Sequence, residues 1–189
     1  MARKLLGFVL VATIVCAGAA ARAAEPLSFG EVMDSPFDRF VTVNTHNRAL
    51  FSRQGTRDRE DAITNYLVMA NKKTGEVMVF LSLWVRYTDY LDRRYSSATD
   101  NNAEALNFGS LDRNTTFCNG SVCSLADRVI ARIPGSIVAQ APPGYAVRFS
   151  GQHRPPIDVE IPAEVLKQLQ QAASLVSAKA PPREQPKPE

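Results

Sequence analysis

Residues 76–90, EVMVFLSLWVRYTDY, carry apolar side chains on both parities. Val77, Val79, Leu81, Leu83, Val85 and Tyr87 share one, and Met78, Phe80, Trp84 and Tyr90 share the other. Successive strand residues point to opposite faces, so the pattern predicts a central strand covered on both sides. Upstream, NYLVMA (65–70) is a second β-rich run, and ANKKTGE between them has the composition of a hairpin loop. Further strands are expected at 39–45, 105–111, 128–133, 145–150 and 158–161. The clusters IPG (133–135), APPG (141–144) and RPPI (154–157) read as turns between them. Short strands spaced by turns predict a mainly β fold, an antiparallel sandwich or an open barrel.

One segment changes period. In IPAEVLKQLQQAASLV (161–176), Val165, Leu166, Leu169, Ala173 and Val176 fall on one helical stripe, while Lys167, Gln168, Gln170 and Gln171 face away. Pro162 suits a first turn and Glu164 complements the N-terminal dipole. A single C-terminal amphipathic helix, packed on the sheet, is the expectation.

The ends read differently. Arg3 and Lys4 precede the apolar run LLGFVLVATIVCAGAA (5–20), and Ala21-Arg22-Ala23 places small residues where a signal peptidase reads. The run is shorter than the roughly 20 apolar residues of a bilayer span. Residues 1–23 are therefore expected to be a cleaved secretory signal, leaving no stable membrane span. Cys16, preceded by bulky Ile14 and Val15, leaves with it. Residues 24–176 form one β-rich domain on this reading. The Pro-rich stretch SAKAPPREQPKPE (177–189) has no large apolar residue to offset its ordering entropy and reads as a disordered tail.

Cleavage alters the charge. The chain has 22 basic and 19 acidic residues, and Arg3, Lys4 and Arg22 lie in the leader, which holds no Asp or Glu. The exported chain then carries 19 of each. A nucleic-acid binder relies on a basic excess for its phosphate contacts, so that class is set aside.

TTFCNGSVCSL (115–125) spaces Cys118 and Cys123 too widely for a thioredoxin-like redox pair, which needs two intervening residues. A structural zinc site needs about four ligands, and His46 and His153 lie in no ligand-like spacing, so no metal is expected. A disulfide fits. With Gly120-Ser121 as a type II′ turn, Asn119 faces Val122 and Cys118 faces Cys123 in a non-hydrogen-bonded pair. Such a pair has a Cα separation of about 4.5 Å, at the short end for a disulfide. An exported location supplies the oxidising compartment. Beyond the bond, Leu111 and Phe117 have the opposite parity to Cys118, so either both faces of that strand are partly covered or a bulge shifts its register.

No metalloprotease, hydrolase-elbow, P-loop or dinucleotide motif occurs. His46 and His153 are the conventional bases near neutral pH, each in a loop-like setting. TDNNAE (99–104) reads as a polar turn, because it lacks the regular calcium-loop pattern. No cofactor is implied. The segment richest in binding chemistry is 84–102, where Trp84, Tyr87, Tyr90 and Tyr95 stand beside Arg86, Arg93 and Arg94. Aromatic and Arg side chains together are what binding hot spots favour.

These features describe a periplasmic or secreted binding or accessory module of a bacterial envelope, non-enzymatic, engaging a protein or an envelope polymer. Two alternatives stand beside it. One is an envelope enzyme using carboxylates or a histidine on a cell-wall or small-molecule substrate. The other is a structural subunit of an envelope assembly.

Overall fold

The computed structural model describes residues 26–54, 59–89, 94–119, 122–152 and 155–180. The expected leader, the expected turn residues 120–121, His153 and residues 181–189 lie outside them.

The strands are β1 (Phe40–Asn44), β2 (Arg48–Gln54), β3 (Arg59–Asn71), β4 (Val77–Asp89), β5 (Tyr95–Asp100), β6 (Phe108–Asn119), β7 (Val122–Ile133), β8 (Tyr145–Gly151) and β9 (Ile157–Ile161). Two helices complete the fold, α1 (Gly135–Gln140) and α2 (Ala163–Lys179). A six-stranded antiparallel sheet runs β1-β3-β4-β7-β6, with β2 also paired to β3, and a three-stranded sheet runs β5-β8-β9. The fold is mainly β, as expected, and no barrel closes among the described strands.

β4 is central, between β3 and β7. Its register with both neighbours stacks the inner side chains in rows: Val68–Val79–Ile133, then Tyr66–Leu81–Ala131, then Thr64–Leu83–Val129. All nine are buried. Over this inner face lie Tyr145, Val147 and Phe149 of β8, Ile157, Val159 and Ile161 of β9, and the apolar stripe of α2. At one end of the inner face Asp127, 3% exposed, accepts from the Tyr95 backbone N–H at 3.3 Å and so ties β5 to β7.

The other face of the sheet departs from expectation. Ile63, Leu67, Met69, Met78, Phe80, Trp84 and Ile130 project there and are half-buried, and none belongs to the core cluster. Their partial cover comes from one another, through the cross-strand pairs Met69–Met78, Leu67–Phe80 and Ile63–Trp84. An apolar second parity therefore did not require a covering layer.

Other differences have local causes. β2 and β5 are strands that periodicity does not flag, and 99–104 is partly strand. β5 ends at Asp100, whose Oδ1 accepts from the backbone N–H groups of Asn102 at 2.8 Å and Glu104 at 2.9 Å, making the expected polar turn. The IPG segment opens α1 instead of a turn, with Pro134 at its N-cap. β6 begins at Phe108 and carries two register shifts, at Ser110/Asp112 and Thr115/Phe117. Leu111 lies at the first shift and is 52% exposed, while Phe117 and Cys118 follow the second in unbroken register with Ser124 and Cys123. α2 runs three residues beyond Val176, and Ala180 after it is buried.

Candidate functional site

The strand register assembles a site on the outer face, centred on Trp84. Directly across from it stand Ile63 on β3 and Arg128 on β7, and Asp112 on β6 is opposite Arg128. Two residues along β4, Arg86 is flanked by Asp61 on β3 and Ala126 on β7. Four strands contribute one surface because alternate residues of each share a face.

Two hollows flank the indole. One, of about 280 Å³, is bordered by Asn65, Ser82, Ala126, Arg128 and Asp112. The other, also about 280 Å³, is bordered by Ala49, Phe51, Ser52, Asp61 and Arg86. Ile63 and Trp84 line both and form the wall between them.

The polar heads are held by neighbours. The Arg86 guanidinium carbon lies 4.3 Å from the centroid of the Trp84 ring, a cation–π contact. Arg128 Nε donates to Ser82 Oγ at 3.4 Å. Ser52 Oγ donates to Asp61 Oδ1 at 2.5 Å. Ser82 itself is 3% exposed, a polar floor between Asn65 on β3 and Ile130 on β7.

Of the described residues that sequence placed in a binding segment, Trp84 and Arg86 reach this surface. Tyr87 is 6% exposed and points into the core, because it has the opposite parity to Trp84 on the same strand. Tyr95, 3% exposed, is also a core residue, packed from β5. Both are corrections to the expected cluster. Arg94 is exposed just before β5. Tyr90 and Arg93 lie outside the described residues. Ile63, Asp61, Asp112 and Arg128 were missed. They are distant in sequence, and only the register of β3, β6 and β7 brings them to Trp84.

The alternative sites have less to show. His46 is exposed and its Nδ1 lies 2.9 Å from Ser28 Oγ. No group of three or more His, Cys, Asp or Glu able to hold a metal occurs among the described residues. No described helix is long and apolar enough to cross a membrane. Cys118 and Cys123 are direct partners across the β6–β7 hairpin, and Asn119 pairs with Val122, the register expected for a cross-strand bridge. Comparisons with protein-family models, with curated proteins and with solved structures each found no match.

Proposed function

We propose that the protein is an exported, non-enzymatic binding module of the bacterial envelope, and that its ligand surface is the outer face of the six-stranded sheet around Trp84. One observation carries the reading: a central sheet with a layered inner face leaves apolar residues, a Trp and two Arg on its other face. Contiguous apolar surface of this kind marks interaction sites in soluble proteins, and Trp and Arg are the side chains that anchor them.

The leader-like residues 1–23 and the balanced charge of the remaining chain support export without nucleic-acid binding. The same reading includes a Cys118–Cys123 disulfide, supported by the facing positions of the two residues. Such a bond would pin the tip of the β6–β7 hairpin. That hairpin carries Asp112 and Arg128, so the staple would steady one wall of the site.

Capture from envelope extract tests the proposal. The exported protein is compared with Trp84→Ala and with a control on the far side, Leu175→Ala, whose parent residue is 50% exposed on α2. Partners retained by the control and lost by Trp84→Ala, with both variants folded by circular dichroism, are the expected result. Equal capture by all three removes the outer face from consideration.

A further inference from the structure

The charges around Trp84 are arranged in pairs. Arg86 stands opposite Asp61, and Arg128 stands opposite Asp112. Directly opposed strand residues lie about 4.5–5.5 Å apart at Cα. Each guanidinium therefore has a carboxylate within side-chain reach, and the two signs cancel toward an approaching ligand. Among the described residues no lysine lines either hollow. A polyanion would meet Asp61 and Asp112, and a polycation would meet Arg86 and Arg128.

A protein partner would suit Trp84 and the two arginines but would have to cover Asp61 and Asp112, and acidic residues are depleted at the centre of protein interfaces. Here four charged side chains ring the central indole. What the ring does provide is a dense mixture of donors and acceptors beside a flat apolar wall.

Resting on the binding-module reading above, we propose that this face binds an uncharged glycan chain, with successive sugar rings seated on either side of Trp84. A pyranose has an apolar C–H face and a rim of hydroxyls, each able to donate and accept. The indole and Ile63 suit the first. The second is met on one side by Asp61 and Arg86, and on the other by Asp112, Arg128 and Asn65. Carboxylate, guanidinium and amide groups each present two parallel polar atoms, which match two adjacent hydroxyls.

The heads are ordered before the ligand arrives. Ser82 holds Arg128, Ser52 holds Asp61, and Trp84 holds Arg86. Preorganisation of this sort lowers the entropic cost of binding. Two hollows of equal size sharing one wall make the site a two-ring site, so affinity rises with chain length until both are filled.

Trp84 is the only tryptophan of the chain, so all indole emission reports from this wall. The experiment titrates the exported protein with two neutral series, N-acetylglucosamine oligomers and α-linked glucose oligomers, from monosaccharide to hexasaccharide. Acidic galacturonate oligomers form the comparison series. At least one neutral series is expected to give a saturable emission change. Its affinity should increase about tenfold or more between one and four sugars and hold steady as salt is raised. By calorimetry, Arg128→Ala and Asp61→Ala each lose roughly tenfold in affinity for the same oligomer at an unchanged Tm.

Binding confined to the acidic series, or weakened steeply by salt, overturns the proposal. So does silence from every oligosaccharide. In that last case envelope extract is added. An emission change that protease treatment of the extract abolishes assigns the face to a protein and leaves the binding-module reading standing. No change from any fraction removes both.

Discussion

Leu81 and Leu67 occupy adjacent strands and opposite faces of the large sheet, which makes them a matched pair. Leu81 is 0% exposed, between Tyr66 and Ala131. Leu67 is half-buried on the outer face beside Phe80. Substitution by Ala removes the same three carbons at each. At Leu81 the loss is about 0.8 kcal/mol of transfer free energy per carbon, plus a void that the second sheet and α2 prevent from filling. The sum is about 3–5 kcal/mol. At Leu67 the transfer loss is only partial and water occupies the gap, so the expected cost is about 1–2 kcal/mol. With about 2–4 °C of Tm per kcal/mol for a domain of this size, Leu81→Ala lowers Tm by roughly 6–20 °C and Leu67→Ala by roughly 2–8 °C. Urea titration with an unchanged m value gives the free energies directly. Equal losses at the two positions would mean that the outer face is layered like the inner one, and the reasoning that makes it a ligand surface would fail.

Three further outcomes are expected. Gly151→Ala destabilises by about 2–3 kcal/mol in a urea titration, because a Cβ there would run into the Arg94 carbonyl where β8 meets β5; a loss below about 0.5 kcal/mol contradicts the tight β5–β8 approach. Burial pushes the Tyr66 phenol up to about 12 from 10.0, despite the opposing pull of Arg48. The folded state then holds a proton that the unfolded chain has already released, so stability is complete below pH 10.0 and falls as pH rises toward about 12, by about 2–3 kcal/mol in all. Burial, and then the charge of Asp100, also pushes the Tyr145 phenol up to about 12. Spectroscopic titration should find these two phenols ionising well above the ordinary tyrosine range, and Tyr66→Phe should flatten the alkaline loss. For the hairpin, non-reducing mass spectrometry of the protein recovered from an oxidising compartment is expected to show the Cys118–Cys123 link. Cys118→Ser should cost less than about 3 kcal/mol, since the closed loop is so short.

Much of the scaffold was legible because it repeats a strict period. β4 is marked by its alternation, and so are the inner rows of β7 and β8 and the stripe of α2. Elements with little apolar content were not. β5 (YSSATD) buries only Tyr95, Ala98 and Asp100, and its strand geometry comes from pairing with β8. α1 spans six residues, too few for a helical period to register. The site was legible in part. Parity alone assigns Trp84 and Arg86 to one face of β4 and Tyr87 to the other, whereas adjacency in sequence groups all three. The carboxylates opposite the two arginines carry no local signal. Asp61 and Asp112 become neighbours of Arg86 and Arg128 only through a register that includes two bulges in β6.

Methionine and tryptophan are among the side chains most readily oxidised, and their placement here makes footprinting a direct test of the outer face. Met69, Met78 and Trp84 lie on it, while Met33, 51% exposed near the β1 edge, is an internal control. The protein lacking residues 1–23 is footprinted with hydroxyl radicals, alone and with the envelope fraction that the proposal expects it to capture. If the outer face is the ligand surface, Trp84 and its neighbours lose reactivity when the fraction is present and Met33 does not. Protection of Met33, or of Phe37 and Leu175, with Trp84 unchanged would place the interaction elsewhere and contradict the account.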